Sequence, residues 1–551
     1  MPVETNRLAR GLDPVGVPDL LHPDAFARVD LAHTGVAFAI AFASGVSGGL
    51  FGEALDRATV APSDWEPGAF ASDLFLTGFV ASCFRVRIGQ EEPVLATGHL
   101  LRVLASPPAD IAVVHHRRAV LAELDAVPER RTELERLYGL LCSFRTLLEG
   151  ANGAGRWDTN RRQLDILSAA RDVFDCMAGF AGAQSGLARL AAFGRRVQAG
   201  EPYRSLVDLL QYDEELATLD MKVKIGADGK IRGFQIVTTA ENVDNAFYSS
   251  PFRRWLAKIE LFVRGYRFGD GEVMARLVDA VFDGIHEELV HFVQLLGDIE
   301  VYLGALGFRE LATARGLAVC LPDLVPAGQP VALDGLFNPL LVAHGVKAVP
   351  CDVGGDRPET TTLVTGPNSG GKTRLLQSLG IAQVLAQAGL FVPARSARMS
   401  LASGLVVSLS QETRADQTEG RLGMELMRIR ALFERLPPGA MVLLDELCSG
   451  TNPSEGEEIF ELVVQMLTRL RPQAFITTHF LAFAARLERE RRIDGLRFLQ
   501  VELERDQRPT YQFTPGVAQT SLAAQAATRL GVTNDQLLAI VEQNIARAAA
   551  R

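Results

Sequence analysis

Apolar residues fall at steps of three and four through most of the middle of the chain. Positions 113–125 and 131–148 carry that spacing, 164–192 continues it, and 203–212 follows. Such steps place one apolar stripe along a 3.6-residue helix. The longest stripe runs Met274, Leu277, Val278, Val281, Ile285, Leu289, Phe292, Leu296, Ile299, Leu303, Leu306. It predicts one helix over about 272–314, spanning roughly 60 Å at 1.5 Å per residue. Between these helices, 221–237 alternates apolar and polar around Ala227-Asp228-Gly229, which predicts a β-hairpin. Uninterrupted apolar runs at 361–365, 441–444 and 474–478 read instead as strands buried on both faces of a parallel sheet. The stretch 31–52 has no Asp, Glu, Lys or Arg, and its length raises a membrane question. His33, Thr34, Ser44, Ser47 and five glycines within it fit a buried helix–loop pair better than a span. At the end, 518–551 reads as two short helices split at 531–534.

The buried runs end in chemistry. Behind 361–365 comes Gly366-Pro367-Asn368-Ser369-Gly370-Gly371-Lys372-Thr373, and then a helical pattern over 374–388. Strand, glycine loop and helix N-terminus in that order make a phosphate cradle. Backbone N–H groups and the positive end of the helix dipole face the anion, and glycines let the chain approach it. G-x-x-x-x-G-K-[ST] is the P-loop pattern. Lys372 is placed to reach the β- and γ-phosphates of a nucleotide, and the Thr373 hydroxyl to ligate Mg²⁺. The run 441–444 ends in Asp445, placed to hold that Mg²⁺, and Glu446, placed to orient or deprotonate an attacking water. The run 474–478 delivers His479 to the same sheet edge, where a γ-phosphate sensor would sit. A lone histidine after a strand is more often a satisfied core residue; its spacing behind a P-loop and an acidic strand end favours the nucleotide role.

Together these residues resemble the ATPase domain of the MutS family. The resemblance rests on 365–373, on Gly389-Leu390-Phe391-Val392-Pro393-Ala394, on 444–456 and on Thr477-Thr478-His479-Phe480. Leu336-Phe337-Asn338-Pro339-Leu340-Leu341 is similar to the strand that precedes that domain. Asp445-Glu446-Leu447 followed by 450–456 is most similar to the second bacterial MutS branch, whose longer members end in an Smr nuclease. Four motifs in order over roughly the last 220 residues make chance a poor explanation. The resemblance implies ATP and Mg²⁺ as cofactors and a homodimer through the ATPase domain, with each nucleotide site completed by a signature loop from the partner. Aligning on Met424-Glu425-Leu426 puts Gly420 and Arg421 where the family carries Ser and Thr. Gly420 can still aim backbone N–H groups at a γ-phosphate, and Arg421 can act in trans as an arginine finger, with Thr418 as a substitute if the alignment slips by two. The resemblance also implies DNA as the partner, and it likens 272–314 to the lever helix that returns from a DNA clamp to the ATPase. No Smr nuclease follows 518–551, so DNA cleavage is not expected of this polypeptide.

Composition changes this picture in two places. The chain has 551 residues, 48% hydrophobic and 22% charged, which is material for three or four ordinary globular domains. Its six cysteines are scattered without a C-x-x-C pair, and the first residues lack a basic segment ahead of an apolar one. That argues against a zinc site, a disulfide framework and a secretory signal, and fits a cytoplasmic protein. The net charge of −10 argues against wholesale coating of nucleic acid but permits a local basic groove. Lys222, Lys224, Lys230 and Arg232 cluster on the hairpin, and Arg253 and Arg254 follow beside Trp255. These are the candidate DNA-backbone contacts, although lysines on a small hairpin also protect a sheet edge. Mismatch-reading MutS proteins carry a Phe-x-Glu wedge. Phe51-Gly52-Glu53 and Phe308-Arg309-Glu310 both match that triplet without further context, so mismatch reading is not assigned.

The expected fold is an α/β P-loop ATPase domain of the ABC type, preceded by a mostly α-helical core and lever domain with a small β-containing, clamp-like insertion. The expected divisions are an unassigned module over 1–110, the helical core over 111–330 with its insertion at about 215–268, the ATPase domain over 331–517, and a dimerising segment over 518–551. The expected function is ATP-gated binding of mismatched or branched DNA by a homodimer, in repair or recombination, with 1–110 free to bind a protein partner. The alternative is an ATP-switched protein that grips a protein or membrane partner without DNA.

Overall fold

The structure is a computed structural model. It describes residues 16–45, 48–150, 159–213, 217–225, 231–241, 270–326, 331–354, 361–409, 421–448, 452–470, 472–505, 507–519 and 534–549. The helices are α1 (Leu31–Ser44), α2 (Leu50–Arg57), α3 (Leu76–Cys83), α4 (Thr97–Ala105), α5 (Ile111–Ala126), α6 (Pro128–Glu149), α7 (Thr159–Met177), α8 (Ala188–Ala199), α9 (Glu201–Asp213), α10 (Asp270–Leu289), α11 (His291–Thr313), α12 (Pro339–Ala343), α13 (Lys372–Gln387), α14 (Arg421–Arg435), α15 (Pro453–Leu470), α16 (Leu481–Glu490) and α17 (Asn534–Ala549). The strands are β1 (Ala217–Ile225), β2 (Ile231–Glu241), β3 (Asp323–Val325), β4 (Ala332–Leu336), β5 (Cys351–Gly354), β6 (Thr361–Thr365), β7 (Ser396–Ser400), β8 (Leu405–Ser408), β9 (Met441–Leu444), β10 (Gln473–Thr477), β11 (Leu496–Leu503) and β12 (Pro509–Pro515). They fall into two compact units. The first holds residues 1–60, 86–100 and 115–303; the second holds 61–85, 101–114 and 304–551.

Among its described residues the first unit is helical apart from one hairpin. Aromatic side chains fill its core: Phe144 lies 5.2 Å from Phe292 between ring centroids, Phe174 5.0 Å from Phe292, and Phe42 stacks on Phe282 at 3.9 Å. Within 31–52 the structure places α1 and the start of α2, and α1 is buried on one face only, through Thr34, Phe38, Ala41 and Phe42, while Val36 and Ile40 are exposed. Asp30 caps α1 by accepting the His33 N–H, and Gly45 ends it in the left-handed region at φ 67°. Phe51 is 1% exposed and packs on Phe38, and in the second unit Phe308 packs on Phe79. Both Phe-x-Glu phenylalanines are therefore core residues. Within the irregular stretch 16–30, residues 17–22 and 28–29 are buried too, so their backbone groups need partners other than water. Side chains supply them. Asp298 accepts from Leu20 N (2.9 Å) and pairs with Arg28, Gln294 accepts from Arg28 N (2.7 Å), and Tyr302 donates to Leu20 O (2.6 Å).

Two helical expectations are corrected. The stripe over 272–314 is two helices, α10 and α11, interrupted at Val290, where Val293 N bonds back to Val290 O in a tighter turn. The pattern over 164–192 breaks after Met177 into a single 3₁₀ turn at Ala178–Phe180 and resumes as α8. Gly182 sits there at φ 82°, which a helix cannot accommodate. Periodicity survives both breaks because the apolar face is needed on either side. The hairpin is as expected: β1 and β2 pair antiparallel, with Lys222 opposite Gln235 and Lys224 opposite Gly233. Among the described residues, 274–313 is long and apolar enough to cross a membrane, and its apolar window is wholly buried in the protein.

The second unit is built on a six-stranded sheet in the order β12-β11-β6-β10-β9-β8. Its strands run parallel except β12, which pairs antiparallel with β11 at one edge. β6, β9 and β10 are buried on nearly every residue, as their unbroken apolar runs require. One apolar cluster joins Val442 and Ile476 to Phe460 and Val464 of α15 and Phe483 and Leu487 of α16. A smaller sheet, β3-β7-β4-β5, completes the unit.

Helix α13 is buried all round, from Leu375 to Gln387, and a helix without a solvated face needs cover beyond one sheet. Residues 61–85 and 101–114 belong to this unit. Gln387 Nε2 donates to Pro108 O (3.4 Å), Cys83 Sγ approaches Pro339 O (3.7 Å), and Trp65 Nε1 donates to Ala402 O (3.0 Å) while its ring meets Phe70 edge-on. The Glu66–Arg435 pair beside it is exposed and contributes no more than about 1 kcal/mol. Trp65 is therefore the anchor of this segment. Trp65→Ala is expected to destabilise the protein by about 3–5 kcal/mol, and Trp65→Phe, which loses mainly the hydrogen bond, by about 1–2 kcal/mol. Denaturant unfolding followed through the second unit would show that order.

Candidate nucleotide site

The P-loop leaves β6 at Thr365 and enters α13 at Lys372. Gly366 takes φ 137° and Gly371 φ 83°, backbone that side-chain-bearing residues adopt only with strain. Asn368 and Ser369 form the exposed tip of the loop. Lys372 is only 3% exposed, and its ammonium donates to Gly366 O (3.0 Å) and Pro367 O (3.1 Å), bracing the loop from inside. Burial lowers its pKa, against the raising fields of Glu446 and Asp445. Thr365 anchors the strand end, donating to Leu499 O (3.2 Å) and accepting Ala518 N–H (3.0 Å).

β9 delivers its two carboxylates to the same sheet edge. Thr373 donates from Oγ1 to Asp445 Oδ2 at 2.5 Å, so the two residues expected to share Mg²⁺ are in direct contact. Thr477, at the end of β10, donates to Asp445 Oδ1 at 2.5 Å and accepts the Glu446 N–H at 2.8 Å. Glu446 and Cys448 both take left-handed backbone, at φ 49° and 63°. Non-glycine residues there cost of order 1–3 kcal/mol each and persist only where surroundings fix them. Cys448 N–H is bound by Glu425 Oε1 of α14 at 2.5 Å, and burial pushes the Cys448 thiol up to about 12, so it stays protonated. His479 is exposed just beyond β10, its ring 4.2 Å from that of Phe480.

Asn338 joins the site from another direction. Its side chain caps α12 through Leu340 N and Leu341 N, and its amide donates to Gln377 Oε1 (2.8 Å) and Arg374 O (3.3 Å) of α13. A cavity of about 270 Å³ opens next to it, lined by Asn338, Val346, Lys347, Gly371, Arg374 and Tyr511 among others. It lies alongside the P-loop, with apolar walls and few polar groups, a combination suited to a flat heterocycle.

Hydroxyl and carboxylate oxygens are hard donors suited to Mg²⁺, which takes few protein ligands and keeps oxygens of its phosphate partner. Among the described residues there is no cluster of three or more His, Cys, Asp or Glu that could hold a metal on its own. Thr373 and Asp445 thus fit Mg²⁺ shared with a nucleotide better than a standing metal centre. Of the other expected site residues, Arg421 opens α14, and Lys222, Lys224 and Arg232 lie on the hairpin strands. Gly420, Lys230, Arg253 and Arg254 lie outside the described residues, as does Thr418. Thr477 and Asn338 sit inside motifs that the sequence makes visible without assigning them a role. Glu425 had only its place in the alignment as a signal.

The family model described as MutS domain V matches residues 362–546. A protein named endonuclease MutS2 from Thermus thermophilus is 31% identical over 240 residues, covering 43% of this chain and 31% of that protein. Its namesake from Thermomicrobium roseum is 32% identical over 219 residues, 38% of this chain and 27% of that one. One from Streptococcus gordonii is 29% identical over 249 residues, 45% and 30%. The chain thus matches about a third of the length of these relatives.

Thr477 tests the geometry of the turn. Thr477→Val keeps its shape but strands the Glu446 N–H and one Asp445 oxygen, which costs about 1–3 kcal/mol. Thr477→Ser should retain most of that stability in urea unfolding. A valine variant as stable as the parent would show that the turn is held by other groups.

Proposed function

We propose that the C-terminal part of this chain, which matches the MutS domain V model over residues 362–546, is an ATPase domain of the MutS family, and that the protein is a Mg²⁺-dependent ATPase working as a homodimer that couples nucleotide turnover to its hold on DNA. The observation that carries the ATPase reading is the contact of Thr373 with Asp445 beside a braced P-loop. Mg²⁺, when bound there, neutralises charge that builds on the phosphate oxygens during hydrolysis. Lys372 and the loop N–H groups hold the phosphates. Glu446 orients the attacking water and takes its proton, and His479 faces the γ-phosphate. The nucleobase enters the cavity between Val346, Gly371 and Tyr511. Arg421 completes the partner's site.

Dimerisation is supported by α17, where Leu537, Leu538, Ile540, Val541 and Ile545 are 44–64% exposed. At 100° per residue they fall on one side of the helix, an apolar face of the kind that a second copy covers. The DNA reading rests on the basic hairpin and on the MutS-type domain, with recognition by DNA structure, mismatched or branched, rather than by sequence. Repair or recombination is the process such a clamp serves.

Glu446→Ala is expected to keep ATP binding while hydrolysis falls about 10²–10⁴-fold, equivalent to about 3–5 kcal/mol of barrier. Lys372→Ala should weaken binding itself, and Arg421→Ala should slow turnover in the dimer. Normal hydrolysis by the Glu446→Ala protein would sink the assignment of the base.

The DNA reading is tested with the Glu446→Ala protein, ATP and Mg²⁺ over a salt series on duplex, mismatched, branched and single-stranded DNA. Tight binding with a steep salt slope should be lost when Lys222, Lys224, Lys230 and Arg232 are reversed in charge. No binding to any form by a protein whose parent hydrolyses ATP would favour the protein or membrane partner instead.

A further inference from the structure

The turn that carries Glu446 is strained at two residues and held at two amides. Thr477 takes the Glu446 N–H from the sheet side, and Glu425 takes the Cys448 N–H from α14. Sheet strands are rigid supports. Helix α14 is not part of the sheet, and Glu425 borders an open cavity of about 540 Å³, together with Ser408, Arg428, Asp445 and Leu447. Glu425 therefore has room to swing away, and packing alone does not force it onto the turn. Its hydrogen bond, from a backbone amide to a carboxylate, belongs to the charge-assisted class.

We propose that Glu425 is a positioning residue for hydrolysis: by holding the Cys448 amide it keeps Cys448 in its left-handed backbone and so helps aim the Glu446 carboxylate at the attacking water. This rests on the ATPase reading above. Without that hold, Cys448 would relax toward ordinary backbone and carry Glu446 with it, and a displacement of about 1 Å at a catalytic group can cost about 10²-fold in rate. The role requires an acceptor oxygen at position 425 and a non-glycine residue at 448. Both requirements can be removed separately.

The experiment measures kcat, KM for ATP and thermal stability of the full chain. Glu425→Ala should lower kcat about 10- to 100-fold with KM nearly unchanged, and Glu425→Gln, which keeps an acceptor oxygen, should retain most of the activity. Cys448→Gly, placed in the Glu425→Ala background, should recover much of the lost kcat because glycine adopts the left-handed turn unaided. Hydrogen exchange of the segment 441–448 should quicken in Glu425→Ala and not in Glu425→Gln, a readout independent of turnover. Parental kcat in Glu425→Ala would overturn the proposal. So would equal loss in the alanine and glutamine variants, or no recovery with glycine at 448. A parent chain without any ATP hydrolysis would instead overturn the ATPase reading, and this role with it, before any variant is made.

Discussion

The Asp445 carboxylate accepts from two threonines on two different elements, Thr373 at the start of α13 and Thr477 at the end of β10. Hydrogen bonds to a charged group are worth about 1.5–3 kcal/mol each, so this one side chain ties the P-loop helix to two strand ends. The sheet order makes the meeting possible. β6 neighbours β10, and β10 neighbours β9, all parallel, so their C-terminal ends open at one edge. In an open parallel sheet that edge is where ligands bind. A shift of one residue in the register of any of these strands would move its terminal side chain to the other face and dissolve the contact.

The same sheet explains the anatomy around it. Burying α13 from Leu375 onward gives the P-loop a packed support, but it leaves three glutamines, Gln377, Gln383 and Gln387, away from water. Each has a partner: Asn338 for Gln377, Ser400 O for Gln383, and both Ala402 N and Pro108 O for Gln387. The last of these comes from residues 101–114, far from the ATPase motifs in sequence. The cover that α13 needs is thus gathered from the beginning of the chain.

That cover was the least legible part of the sequence, and the reason is physical. Segments 61–85 and 101–114 are short turns and helices whose job is to present a Trp65 N–H or a Pro108 carbonyl at one place, which leaves no periodicity to detect. The P-loop, the Asp445–Glu446 strand end and the hairpin were legible because glycine backbone, buried parallel strands and alternation each constrain several consecutive residues. The breaks at Val290 and after Met177 were not, since the apolar stripe continues across both. Thr477 shows the intermediate case. It stood inside a recognised motif beside His479, yet only the folded sheet shows that its hydroxyl serves Asp445 and Glu446 at once.

The Glu446–Cys448 turn departs most from local preference, and the magnitudes there are nearly balanced. Left-handed backbone at Cys448 costs of order 1–3 kcal/mol, and the bond from Glu425 returns about 1.5–3 kcal/mol. Glycine at 448 would have removed the cost without any need for Glu425. With cysteine there, the Cys448 end of the turn rests on where α14 sits, so a shift of that helix too small to disturb the sheet is enough to loosen it. Thr477 keeps Asp445 in place regardless, because its bonds come from β10. The arrangement therefore separates two supports within four consecutive residues: Asp445 and the Glu446 amide are held by Thr477 of the sheet, and Cys448 by a helix that can let it go.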